Sequence, residues 1–300
     1  MPTIYTHINA NKRRPWILMG ICAIFLFGIG FFLDQAYGHG SWGWTIVALI
    51  YAVISALIGY FKGDKIALWT SGAVPVTKEQ NAYVVRMAEN LAITTGLPAP
   101  KVYIIPDEDI NAFATGRDPQ HASIAVTQGA IDKLANEELE GVMAHEISHI
   151  GNYDIRYMTL VIVLVGTIIV LSDMFWRVRF GRSFGRSSGR SGGGAAIMVL
   201  GLVLLILAPL FAELIKLAVS RKREYLADAS GALLTRYPEG LARALEKIRD
   251  QGARIERATK STAHLYIANP MGSGFSKFFS THPPIDDRIS RLRQMGNITQ

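Results

Sequence analysis

The chain has 300 residues, of which 50% are apolar and only 18% charged, with a formal net charge of +7. Soluble domains carry roughly a quarter charged residues, so this balance argues against an ordinary soluble protein and for membrane-embedded segments. One cysteine, Cys22, rules out a disulfide framework, and nothing ties the chain to an oxidising compartment.

In chain order, the basic cluster Lys12-Arg13-Arg14 precedes a charge-free run from Trp16 to Leu33, and a second such run extends from Ser41 to Phe61. Each is about the 20 residues needed to cross a bilayer core. No small-residue cleavage site follows the first run and a second span comes at once, so it is expected to be an uncleaved anchor. The link Asp34 to Gly40 has no Lys or Arg, whereas Lys62 and Lys65 follow the second run. Positive charge therefore places both ends of this N-terminal hairpin, residues 1–66, on the cytoplasmic side.

Residues 67–156 read as the first part of a catalytic domain. A helix is predicted over Thr77 to Thr95, stopped by Gly96 and Pro98. Lys101 to Ile105, Ala112 to Thr115 and Ser123 to Thr127 are short β-prone runs separated by Pro, Asp and Gly, which predicts a small sheet. A second helix follows, capped by Asn136, with Glu137, Glu138 and Glu140 against its dipole and an apolar stripe of Leu139, Val142, Met143, Ile147 and Ile150. It carries His145-Glu-Ile-Ser-His149. Residues four apart share a helix face, so both imidazoles can chelate one Zn²⁺ while Glu146 handles a proton.

After a break at Gly151-Asn152, two further apolar runs, Tyr157 to Trp176 and Ser191 to Ala212, predict a second hydrophobic hairpin over 157–212. The Arg/Gly/Ser-rich loop 177–194 between them holds Arg177, Arg179, Arg182, Arg186 and Arg190, which positive-inside reasoning would keep in the cytoplasm. Either the first hairpin dominates the topology or the second stops short of crossing; both return the chain to the same side. The net charge fits anionic lipid rather than nucleic acid.

The second part of the catalytic domain, 213–300, begins with Ser220 to Asp228. Glu224 and Asp228 are four apart on one helix face, so Glu224 can complete a three-ligand metal site while Asp228 accepts the other ring N–H of a liganding histidine. The competing reading is a surface helix whose acids pair with Arg221, Lys222 and Arg223; the upstream histidines favour the metal site. Helices are predicted over Leu241 to Ala258 and Asp286 to Met295. His7, His39, His121 and His264 have no partner at ligand spacing.

His145-Glu-Ile-Ser-His149 followed by Glu224-Tyr-Leu-Ala-Asp228, among four hydrophobic runs, resembles the HtpX family of bacterial membrane zinc metalloproteases, related to the CAAX prenyl proteases. The resemblance implies a mostly α integral membrane protein: four hydrophobic helices with a cytosolic α+β catalytic domain of the gluzincin type and a small sheet. It implies one Zn²⁺ per chain on His145, His149 and Glu224, with Glu146 as catalytic residue. It also implies hydrolysis of misfolded membrane proteins at the cytoplasmic face of the bacterial inner membrane, in quality control. The partners are then polypeptide substrates and the lipid bilayer, not nucleic acid. In the resemblance, Asn111, Ala112, Phe113 and Ala114 form the strand nearest the cleft, able to hold an extended substrate by backbone hydrogen bonds. Thr281 to Arg288 resembles a segment that reaches the active site, where His282 or Arg288 would stabilise the oxyanion. The alternative is a non-catalytic zinc-binding membrane scaffold, which would need a fourth protein ligand and has no cysteine nearby to supply it.

Overall fold

Two long helices, α1 (Ile4–Tyr37) and α2 (Gly43–Thr70), pack side by side at the start of the computed structural model, which describes residues 4–37, 41–164, 221–251, 265–267 and 283–298. Trp42 gives the start of α2 no side-chain cap. Asp34 at the end of α1 does that work, accepting from Trp44 N at 2.9 Å, Thr45 N at 2.8 Å and Thr45 Oγ1 at 2.6 Å. Those backbone donors would otherwise be orphans of the first helical turn. Outward-facing apolar side chains stay bare, with Ile17 61% and Ile24 73% exposed on α1. A soluble protein does not leave so continuous an apolar surface uncovered. Asn9–Phe32 and Gly43–Thr70 are the two stretches among the described residues long and apolar enough to cross a membrane.

The second span does not end where its apolar run ends. α2 continues unbroken past Lys62 and Lys65, and its last turns bury Ala67 and Leu68 among residues of the sheet. That sheet has four strands, β1 (Val74–Pro75), β2 (Lys101–Ile105), β3 (Ala112–Gly116) and β4 (Ala122–Thr127), in the order β1-β2-β4-β3. It is mixed, because β2 and β4 run parallel while the two outer pairs are antiparallel. Side chains alternate faces along a strand. Ala112, Ala114, Ile124 and Val126 belong to one core with the helices that carry the site, whereas Phe113 and Ala125 meet Ala67, Leu68, Met158, Ile162 and Tyr266 on the other face.

α3 (Ala82–Thr95) starts later than the sequence predicts, because Asn81 accepts from Val84 N at 3.2 Å and so caps it there, while Thr77 O closes the preceding turn. After the short α4 (Gln128–Lys133) comes α5 (Asn136–Gly151), the central helix. Asn136 is not its cap: Glu138 reaches back to Ala135 N at 2.8 Å, and Asn136 Oδ1 accepts from Tyr83 at 3.0 Å. Tyr153 takes a left-handed φ of 60°, turning the chain into α6, helical residues 154–164. α7 (Arg221–Thr235), α8 (Pro238–Gln251) and α9 (Ile285–Ile298) complete the described chain, and α5 packs against β3, α3, α7 and α8.

The result is a mostly helical protein with two candidate membrane helices and a small mixed sheet. Of the third apolar run only residues 157–164 are described; the fourth run, Ser191 to Ala212, and the basic loop 177–194 lie outside the described residues, as does the predicted helical tail 252–258.

Candidate active site

His145 and His149 point from one face of α5 into the interior, with their Nε2 atoms 3.2 Å apart. Glu224 on α7 brings Oε2 within 3.9 Å of His145 Nε2 and Oε1 within 3.6 Å of His149 Nε2. One ligand atom from each of the three residues falls within 4.8 Å of the others, and all three residues are buried. Ligands about 2.0–2.1 Å from a tetrahedral zinc lie about 3.4 Å apart, so these donors are spaced for such an ion. Among the described residues the cluster has three members, leaving a fourth coordination position to water or substrate.

The approach of α7 to α5 depends on Gly231. A Cβ there would lie 3.0 Å from His145 N and 3.2 Å from Ala144 C, so the bare backbone is what lets the helices meet. Glu224 and Asp228, seven and three residues earlier, share that face of α7 and are thereby aimed at the histidines.

Each histidine has a carboxylate behind it. His145 Nδ1 is 2.9 Å from Asp228 Oδ1, off the best hydrogen-bonding line. Asp228 is in turn gripped by Arg288 of α9, through Nε at 2.8 Å and Nη2 at 2.7 Å. Burial pushes the Asp228 carboxyl up, but Arg288 and His145 outweigh it and hold the group at about 2. Behind His149 stands Asp154, whose Oδ2 is 3.1 Å from His149 Nδ1. Burial opposes a charge on His149, yet the hydrogen bond to Asp154, with Glu224 close by, takes the imidazole up to about 9. The pocket thus concentrates carboxylates around two imidazoles and calls for a cation.

Glu146 is buried beside the pair, and its carboxyl is raised above the ordinary range by burial, partly offset by the two histidines and by a hydrogen bond from Ala114 N–H. β3 is an edge strand of the sheet and lies against α5. Two of its outward backbone groups are engaged: Ala112 O by Ile267 N at 3.1 Å, and Gly116 N by Thr159 Oγ1 at 3.1 Å.

The structure therefore brings together His145, Glu146, His149, Glu224, Asp228, Arg288 and the strand Asn111 to Ala114. Arg288 holds Asp228 through Nε and Nη2, while its Nη1 donates to Ile267 O at 3.0 Å and lies 3.8 Å from Glu224 Oε2, at the border of the metal cluster. His282 lies outside the described residues. The sequence reading missed Asp154; its signal was an acid five residues after the second histidine, across the break at Gly151-Asn152. His121, regarded as unremarkable, pairs with Asp118 at 2.6 Å, away from this cluster.

Residues 78–296, which include every side chain of this cluster, match the family described as peptidase family M48. The chain belongs to peptidase family M48. It is 46% identical to "Protease HtpX homolog" of Dictyoglomus thermophilum over 98% of this chain and 95% of that protein. It is 43% identical to "Protease HtpX homolog" of Tropheryma whipplei, over 98% and 99% of the two chains. The crystal structure of Ste24p from S. mikatae shares the fold, with a TM-score of 0.52 at 21% identity over 93% of this chain and 66% of that one. The protein is thus an HtpX-type M48 metallopeptidase, and the buried His145, His149 and Glu224 are where this peptidase could hold its metal.

Proposed function

We propose that this peptidase is a membrane-anchored, zinc-dependent endopeptidase that hydrolyses membrane and other polypeptides, misfolded ones among them, at the cytoplasmic face of the bacterial inner membrane, in quality control. The observation that carries the reading is the buried trio His145, His149 and Glu224, with Glu146 alongside and no fourth protein ligand among the described residues. A structural zinc site would close the fourth position with a protein ligand.

Zinc bound to the trio supplies a lowered water pKa and a polarised scissile carbonyl. The chain's own groups do the rest. Asp228 and Asp154 fix the ring orientation of His145 and His149, keeping Nε2 of each turned to the centre. Glu146 takes the proton from the attacking water and delivers it to the departing amine nitrogen. β3, at Asn111 to Ala114, offers an extended substrate the outward backbone of Ala112 and Ala114, reading main chain more than side chains. Binding there requires Ile267 N to give up Ala112 O.

Membrane anchoring draws on the two exposed apolar helices, and the cytoplasmic placement on Lys12, Arg13, Arg14, Lys62 and Lys65 at the ends of the hairpin that adjoin the catalytic body. The test is Glu146→Gln in the full chain, assayed on an intact membrane-protein substrate beside wild type. Cleavage should fall by about 10²–10⁴-fold with bound zinc unchanged. A Glu146→Gln protein that cuts at the normal rate would overturn the assignment.

A further inference from the structure

Asp154 is itself held, from a third part of the molecule. Asn11, in the first turns of α1 and ahead of its charge-free run, donates from Nδ2 to Asp154 Oδ1 at 2.8 Å and to Asn152 O at 3.0 Å. Both ends of this link are buried, with Asn11 3% and Asp154 1% exposed. Next to it, the Lys12 ammonium sits 4.4 Å from the centre of the Tyr153 ring. The foot of the first apolar helix therefore grips the turn Asn152 to Asp154, the same turn whose left-handed Tyr153 swings Asp154 back toward His149.

The chemistry of this contact suits positioning. An amide nitrogen carries two hydrogens, and here each has an acceptor, so burying Asn11 leaves no donor stranded. With Oδ1 tied to Asn11, the other oxygen of Asp154 is directed at His149 Nδ1, which selects the tautomer with Nε2 free for a metal. Asn11 is also neutral. The carboxylate's charge is met separately by Arg223, whose Nη1 lies 3.8 Å from Oδ1, so the part left to the amide is to orient the carboxylate.

We propose that Asn11 is a positioning residue for the metal ligand His149, acting through Asp154, so that docking of α1 completes the metal site. The proposal rests on the reading of His149 as a zinc ligand. It differs from simple anchoring of α1, which is served by apolar contacts such as Leu18 against Tyr157, Leu160, Val161 and Leu164. Leu18→Ala loosens that interface without touching Asp154, and is the control.

The experiment uses the full chain in lipid nanodiscs. Zinc retention is measured by competition with a chromophoric chelator, and the ligand field by the visible absorption of the Co²⁺-substituted protein. Removing a direct partner of a metal-bound histidine costs about 10–100-fold in affinity, so Asn11→Ala, one bond further out, should cost about 5–10-fold. It should also change the Co²⁺ bands, which Leu18→Ala should leave alone. In an Asp154→Asn background, Asn11→Ala should add nothing, since the path is already cut. Asn11→Ser, which keeps one donor, should fall between and serves if the alanine variant does not fold. Wild-type affinity and bands in Asn11→Ala, equal effects of Asn11→Ala and Leu18→Ala, or full additivity with Asp154→Asn would each overturn the proposal. A wild type that holds no stoichiometric zinc would overturn the zinc reading as well, which separates the two failures.

Discussion

The two histidines of α5 sit one helical turn apart, yet they are held from different parts of the molecule and by unlike means. His145 is backed by Asp228, and Asp228 by the two-point grip of Arg288, so its support comes entirely from α7 and α9 near the C-terminus. His149 is backed by Asp154, which receives a neutral hydrogen bond from Asn11 of the N-terminal apolar helix. One support is a two-point ion couple; the other joins that amide to a looser ionic contact, Arg223 Nη1 lying 3.8 Å from Asp154 Oδ1. A three-ligand site built this way is complete only when the apolar hairpin and the C-terminal helices are both docked on α5.

Breaking the charged support should have the largest effect. Arg288→Ala would leave the buried Asp228 carboxylate without its guanidinium and facing only the His145 ring, which costs about 3–5 kcal/mol of stability. Chemical denaturation of the purified protein in detergent should show a loss of that size, with Arg288→Lys recovering only part because a lysine cannot make the two-point contact. An unchanged denaturation midpoint would mean the pair does not hold α9 to α7. On the other side, Asp154→Ala should weaken zinc binding by about 10–100-fold, because the ring of His149 loses the group that orients it. Chelator competition measures this directly, and undiminished affinity would leave Asp154 without a role at the metal.

The two sides also differ in how far they can be read from the sequence. His145 with His149, and Glu224 with Asp228, are pairs four residues apart on a helix, and that spacing dictates a shared face before any tertiary contact is known. The strands at Lys101, Ala112 and Ser123 declare themselves through β-prone runs between Pro, Asp and Gly. Asp154 does not, because its approach to His149 depends on the left-handed Tyr153, and nothing in Asn152-Tyr153-Asp154 fixes which way the chain turns. Asn11 is less legible still, since its partner lies 143 residues away. Arg288 was picked out as a residue of the site, but its duty follows from which acid faces it. The two-residue β1 is too short for any pattern.

Gly231 sharpens the comparison, because it sets how closely α7, which carries Asp228, approaches His145. Gly231→Ala places a methyl 3.0 Å from His145 N, in a contact made by backbone that cannot swing aside. Overpacking of this kind costs about 1–2 kcal/mol and should lift Glu224 and Asp228 away from α5 together. The expected outcome is a lower denaturation midpoint with reduced zinc content; a variant as stable and as zinc-rich as wild type would show that the helices have room to spare.

The smallest effect tests whether the strength of Arg288 belongs to its burial or to α9 itself. Arg293, five residues further along the same helix, reaches Glu239 at 3.2 Å and Glu246 at 2.9 Å, with its side chain 45% exposed. Hydrogen bonding from Arg293, against a smaller opposing effect of burial, keeps the Glu239 carboxyl below its usual 4.5. A carboxyl depressed in the folded state contributes its full increment above its unfolded pKa and loses it as the pH falls through the folded value. Exposed pairs are worth about 0.2–1 kcal/mol, so Glu239→Gln should lower stability at pH 7 by about half a kcal/mol. That gap should close as the pH is taken downward from about 4.5, and also at 1 M salt, where the screening length is about 3 Å. The deficit of Arg288→Ala should persist at the same salt concentration, because ions do not reach the interior where Asp228 lies. If both deficits respond to salt alike, the contrast between the buried and exposed arginines of α9 fails, and with it the account of why the His145 side is held by a charge pair.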